Sequence, residues 1–378
     1  MMNRRIRAFG LAVLLMAAPA IVSCRRAPET TAGVAEDADN PTQDLTFRNL
    51  TLEQADDNGN LQWRVVADEA VYSQDRQDAQ ITLPTGTFFR DGEPAYDVSA
   101  QTGNVLDNGK RLRLQDDVEI KDLDSGAVLK GKQLTWNPEK NVITLTGQVT
   151  GEHPDMALAA ETAIAHIDDE RIVVEQNVRI NTTDNTVQMN GDRLIWRIAD
   201  EQLVADQPLQ IQQRQGNQVT DSAQANRATF DLANEVATLQ DSAVIVLQDP
   251  PVRMTGDAVR WDLANDTVTA SQPFTLLHQA EQMVINADRG QGDLNTEVFR
   301  LQGSVSVLAQ QTGGRLNADR LTWTVPTQNL LAEENVVYRQ PDPPLDLKGD
   351  RAVGRLANQT IVITGEQVVT EIIPQNIN

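Results

Sequence analysis

Four short segments of this chain repeat one another: Lys132-Gln-Leu-Thr-Trp136, Asp192-Arg-Leu-Ile-Trp196, Asp257-Ala-Val-Arg-Trp261 and Asp319-Arg-Leu-Thr-Trp323. Weaker copies lie between them, at Glu161-Thr-Ala-Ile-Ala165, Asn226-Arg-Ala-Thr-Phe230, Asp288-Arg-Gly-Gln-Gly292 and Asp350-Arg-Ala-Val-Gly354. The starts at 257, 288, 319 and 350 are each 31 residues apart. Self-similarity at a fixed short period is the mark of a stacked array, in which no unit buries its apolar face without its neighbours. Strong copies carry Trp where the alternate copies carry Ala, Phe or Gly, so the full period is nearer 62 residues.

The units are strands rather than helices. Val, Ile, Leu and Thr alternate with Asn, Asp and Gln, while apolar residues at three- and four-residue spacing are almost absent beyond the N-terminus. The pairs Asn58-Gly59, Asn108-Gly109 and Asn190-Gly191 are expected in tight turns. Alternate residues of a strand share a face. The first strong copy therefore presents Leu134, Trp136, Ile143 and Leu145 together, and the second Leu194, Trp196, Leu203, Ala205, Leu209 and Ile211. The third presents Val259, Trp261, Val268, Ala270, Phe274 and Leu276, and the fourth Leu321, Trp323, Leu330, Ala332, Val336 and Tyr338. Their neighbours, such as Arg193, Arg260 and Arg320, are largely polar. With no helices to cover it, the apolar face of one wall must meet that of another. Large residues opposite small ones serve either to fill a narrow core or, with Gly292 and Gly354, to leave a slot for an alkyl chain.

The formal charge is −22. Such acidity repels nucleic acid and anionic membrane surfaces, so no nucleic-acid partner is expected. His153, His166 and His278 stand in separate repeats without a clustered thiol or carboxylate, and read as surface or strand residues rather than zinc ligands. No Gly-x-Ser-x-Gly elbow or phosphate-cradling loop occurs. The acid pairs Asp56-Asp57, Asp116-Asp117 and Asp168-Asp169 read as turns or strand ends. No metal, cofactor or catalytic residue is expected, although acid pairs across a groove are one way for a β-solenoid to cleave polysaccharide.

The N-terminus reads as a sorting signal. Asn3-Arg-Arg-Ile-Arg7 is basic and residues 8–21 are apolar, a run too short for a comfortable membrane span. It ends in Ile21-Val22-Ser23-Cys24, which resembles the bacterial lipobox, whose cysteine becomes lipidated and N-terminal. Cys24 is the only cysteine, so no internal disulfide can form. Cleavage there removes Arg4, Arg5 and Arg7 and leaves 29 basic against 54 acidic residues. An ordinary cleavage site with an incidental Cys24 and an uncleaved anchor helix are the other readings of the run, and all three leave the body of the chain outside the cytoplasm. Residues 24–44, rich in Pro, Ala, Glu, Asp and Thr, read as a flexible tether.

The first folded segment, Leu50-Thr-Leu-Glu-Gln-Ala-Asp-Asp-Asn-Gly-Asn-Leu-Gln-Trp63-Arg-Val-Val-Ala67-Asp68-Glu-Ala-Val-Tyr72, is followed by Phe88-Phe-Arg-Asp-Gly92, Ala100-Gln-Thr-Gly103 and Leu112-Arg-Leu-Gln-Asp-Asp-Val118-Glu-Ile120. It resembles LptC, the membrane-anchored periplasmic member of the lipopolysaccharide export machinery. The Gly/Ala-Asp-x-Leu-x-Trp units, closed by Gly147-Gln-Val-Thr or Gly303-Ser-Val-Ser, resemble the related LptA/OstA β-jellyroll repeats. The organisation this implies is a signal peptide at 1–23, a lipidated tether at 24–44, an LptC-like jellyroll at 45–150 and OstA/LptA-like repeats at 151–373, continuous with it.

The resemblance implies an elongated, open, V-shaped antiparallel β-jellyroll whose apolar trough shields lipid acyl chains. The trough-lining candidates are Leu134, Trp136, Ile143, Leu145, Leu194, Trp196, Leu203, Val259, Trp261, Val268, Phe274, Leu276, Leu321, Trp323, Leu330 and Tyr338. The implied partners are lipopolysaccharide, the inner-membrane lipopolysaccharide ABC transporter, and an LptA-like or outer-membrane translocon jellyroll joined edge to edge. The implied place is the periplasm, tethered to the inner membrane. The chain departs from the family in being about twice the length of familiar LptC proteins, and in carrying Arg25 after Cys24. Two other functions stand beside transport: a structural scaffold, which needs a sealed core, and a polysaccharide-processing enzyme, which needs a carboxylate-lined groove.

Overall fold

A computed structural model describes residues 45–371, apart from 57, 74–76, 91, 155, 357–359 and 366–367. The signal sequence, Cys24 and the tether lie outside the described residues. Twenty-eight strands join in one antiparallel sheet, and among the described residues there is no α-helix. The chain is an elongated all-β jellyroll built from the strands its alternating pattern foretold.

Long strands bend to serve two walls. Arg111–Asp122 pairs through residues 111–115 with Thr102–Leu106, and through residues 119–122 with Glu93–Ser99. Between the halves, Asp116 and Asp117 take φ of 61° and 50°. The same two-residue corner recurs at Gln176/Asn177, Asp241/Ser242, Gly303/Ser304 and Glu334/Asn335. Short polar side chains and glycine tolerate left-handed backbone better than bulky ones, so these pairs turn the strand without ending it. Asp116-Asp117 is thus a mid-strand corner, not a turn or strand end. Elsewhere the strand stops at the corner and restarts, as between Gln202–Ala205 and Leu209–Gln215 and between Thr267–Ala270 and Phe274–His278.

Asn190-Gly191 is also no turn. Both residues lie inside the strand Val187–Arg197, where Gly191 pairs with Val178 and Leu209. A Cβ on Gly191 would sit 3.3 Å from the Pro208 carbonyl oxygen, so close backbone approach at the corner explains the glycine.

Strand register carries one inward residue to the next along each wall. On one wall the row runs Leu112, Trp136, Ile143, Ala165, Ile172, Trp196, Leu203, Phe230, Ala237, Trp261, Val268, Gly292, Phe299, Trp323, Leu330, Gly354 and Ile361. On the facing wall it runs Val65, Gly86, Val98, Ile120, Leu129, Gly151, Leu158, Ile180, Met189, Ile211, Ala223, Ile245, Met254, Leu276, Ile285, Val307, Leu316, Tyr338 and Leu347. Most of both rows belongs to a single hydrophobic core that runs along the fold, with Trp196, Ala237 and Leu347 outside it. Its ladder ends in open edges among the described residues: Leu45–Ala55 pairs only with Leu61–Tyr72, and Thr360–Thr364 only with Leu345–Arg355.

Candidate functional site

The interior between the walls is where the sequence candidates converge. All sixteen project from inward-facing positions, Leu134, Trp136, Ile143, Leu145, Leu194, Trp196, Leu203, Val259, Trp261, Val268, Leu321, Trp323 and Leu330 on the tryptophan wall and Phe274, Leu276 and Tyr338 on the facing wall. Burial of such side chains is what holds the walls together, at about 1.5–3 kcal/mol for a fully buried Val, Leu or Phe.

The interior is not uniform along its length. At two places the walls are closed by rings that meet across the gap. Phe88 of the facing wall lies 4.2 Å, centroid to centroid, from Trp136. His278 of the facing wall meets the Trp323 ring edge-on at 5.1 Å, and Phe299 stacks on the same indole at 5.3 Å. Trp136 and Trp323 are each 1% exposed. Between these closures the lining loosens. Leu158, Ile180, Met189 and Ile211 on the facing wall, and Ile172, Trp196, Leu203 and Phe230 on the tryptophan wall, are only half-buried. Trp261 is half-buried as well.

Gly292, read from sequence as one side of a slot, is covered instead: a Cβ there would lie 2.7 Å from the Phe299 ring. The weak copy is filled by an aromatic from the adjacent strand of its own wall. At Gly354 the nearest atom to such a Cβ is Leu330 Cβ, at an ordinary 3.6 Å.

Polar groups in this interior are few. The indole Nε1 of Trp63, Trp136, Trp261 and Trp323 is buried and has no hydrogen-bond acceptor among the described residues. An unsatisfied buried donor costs about 1–3 kcal/mol. Among the described residues, Asp221 and His278 are the buried polar ones. Asp221 accepts the Gln248 backbone N–H at 3.1 Å. His278 Nδ1 accepts the Glu281 backbone N–H at 3.2 Å, which fixes the neutral ring with its proton on Nε2. Burial pushes the His278 imidazole below its ordinary pKa, with Glu281 pulling the other way. Sequence reading left His278 as a surface or strand residue. It also passed over Phe88 and Phe299, whose strand parity carried the signal.

Carboxylates gather on the outer face instead. A hollow of about 500 Å³ is bounded by Gln202, Thr229, Asp231, Asn234, Arg260, Asp262 and Asn265. Hydrogen bonds from Asn234 and Asn265 hold Asp231 and Asp262, respectively, below the usual carboxylate range. A glycosidase acid needs a carboxyl shifted the opposite way, so these two are turn-forming groups, capping their own loops.

Two overlapping stretches of the chain match family models. Residues 11–179 match the model described as lipopolysaccharide-assembly, LptC-related. Residues 128–267 match that described as LptA/(LptD N-terminal domain) LPS transport protein. Among curated proteins, none matches the chain significantly.

Proposed function

Because the chain is an LptC-like protein continued by LptA-type jellyroll repeats, we propose that it carries lipopolysaccharide through the periplasm with the acyl chains held between its two walls. The observation that supports this reading is the predominantly apolar inward row on each wall, most of it joined in one core. Acyl methylenes gain about 0.8 kcal/mol each on leaving water, and a lining that is apolar from strand to strand offers the same environment at every step. Such a surface has no chemistry to perform. Its task is to lower the cost of moving an alkyl chain through water, while energy for directed movement comes from a transporter.

The sixteen lining candidates are the proposed contacts, with those of the half-buried stretch, Trp196 and Leu203, the first to be reached. The open strand edges support the bridging role. Leu45–Ala55 and residues 361–364 are each paired with a single neighbouring strand among the described residues, which leaves an edge where a jellyroll partner can add a strand. On this reading the N-terminal end faces the inner-membrane ABC transporter, and the C-terminal end meets an LptA-like or outer-membrane translocon jellyroll. Cys24 is the proposed lipidation site that keeps the chain at the membrane.

A second reading, a structural scaffold, has one observation in its favour: the sealed packing at Trp136 and Trp323. Depletion of the protein in cells separates the two. Transport predicts that newly made lipopolysaccharide stops reaching the cell surface and accumulates at the inner membrane. Unchanged delivery after depletion contradicts transport and leaves the scaffold.

A further inference from the structure

The tryptophans of one wall recur at a regular spacing along the inward row. In the inward row Trp136, Trp196, Trp261 and Trp323 fall on strands Val128–Asn137, Val187–Arg197, Val252–Asp262 and Gly314–Thr324, each four strand steps from the next. Between Trp261 and Trp323 stand Val268, Gly292 and Phe299, one per strand. Four strand steps at about 4.8 Å put successive row tryptophans about 19 Å apart. The indole N–H of Trp136, Trp261 and Trp323 is buried without an acceptor among the described residues, and the half-buried Trp196 is the exception in the row. A buried tryptophan usually finds a partner for its N–H, and phenylalanine fills the same row at Phe230 and Phe299 without that need.

We propose that the buried indole N–H groups of Trp136, Trp261 and Trp323 are hydrogen-bond subsites for the ester and amide oxygens that join acyl chains to their lipid. The proposal rests on the reading that acyl chains occupy the space between the walls, and it adds what the walls recognise there. An alkyl tail has no acceptor to offer. The carbonyl at its head-proximal end does, and it is uncharged, so it can enter an apolar interior where a phosphate cannot. A water molecule is a poor alternative partner at Trp136 and Trp261, because it needs two to four polar groups around it and the inward neighbours Ile143 and Val268 supply none; beside Trp323 stands the His278 ring, whose Nδ1 is already engaged by the Glu281 N–H. Trp261, half-buried and next to the loosened stretch, is the subsite an arriving chain meets first.

The test uses the full chain with ¹⁵N-labelled indoles. It is titrated with a diacyl phosphatidylcholine below its micellar concentration, and separately with the dialkyl ether analogue of equal chain length, which lacks the carbonyls. The expected result is that the diester binds about fivefold or more tightly than the diether, the effect of one net hydrogen bond. The indole N–H resonances move with the diester and not with the diether. In Trp261→Phe and Trp323→Phe the ratio of the two affinities falls toward one. The ratio is taken within each variant, so a loss of folded protein cancels. Equal affinities with unmoved indole resonances overturn the donor role while leaving the apolar seat in place. If neither lipid binds, the seat itself is contradicted and the donor role falls with it.

Discussion

Trp323 shows how much one residue settles. Its ring lies between Phe299 of its own wall and His278 of the facing one, so it closes the interior where the two meet. The sequence pattern placed this tryptophan on an inward face, because strand parity needs only its neighbours. It did not place His278 against it, since that contact depends on which strands face each other across the core. The histidine gives the closure a pH dependence. Its folded pKa is depressed by burial below the ordinary 6.5, so on acidification the unfolded chain takes up a proton that the folded chain refuses. The stability tied to this group is complete above about pH 6.5 and is lost as pH falls from there through the folded pKa. Between pH 7 and 5 the native chain should therefore lose more stability than His278→Gln, by at most about 1.4 kcal/mol per pH unit. Urea unfolding at each pH checks this, and parallel losses in the two proteins would contradict it. Carboxylates such as Asp231 and Asp262 titrate alike in both and drop out of the difference.

At the scale of the strand, alternation and period were legible, and the corners were not. Asp116-Asp117 and Asn190-Gly191 use the residue types of turns, yet both lie inside continuous strands. The local signal is the same because the need is the same: a left-handed or close-approach backbone. Only the pairing on either side tells a bent strand from a hairpin. The corner at Glu334/Asn335 allows a direct test. Asn335 has φ 53° and its Nδ2 donates to Asp319 Oδ2 at 2.6 Å. Asn335→Val should cost about 2 kcal/mol, from a left-handed β-branched residue together with the lost hydrogen bond. Asn335→Gly, which keeps the backbone at ease, should cost under about 1 kcal/mol. Equilibrium unfolding orders the two, and a valine variant as stable as the glycine one would show that the corner bears no conformational constraint.

For the whole molecule, the repeat gave the architecture, and the register of strands far apart in sequence decided how tightly each stretch is sealed. Phe88 over Trp136 and His278 against Trp323 close two places. The half-buried lining of Trp196, Leu203 and Phe230 lies between them. No single-strand pattern contains that difference, since the same residue types line all three stretches. On the proposed transport reading, an acyl chain enters in the middle of the described fold and the closures at Trp136 and Trp323 part to let it pass. Photo-crosslinking in living cells tests this most directly, with the probe at Leu203, Val268, Leu276 and Leu330 and at outward-facing Arg260. The account predicts lipopolysaccharide adducts at the four inward positions, strongest at Leu203, and none at Arg260. Adducts at Arg260 equal to those inside, or none at any inward position while lipopolysaccharide still reaches the surface, would contradict it.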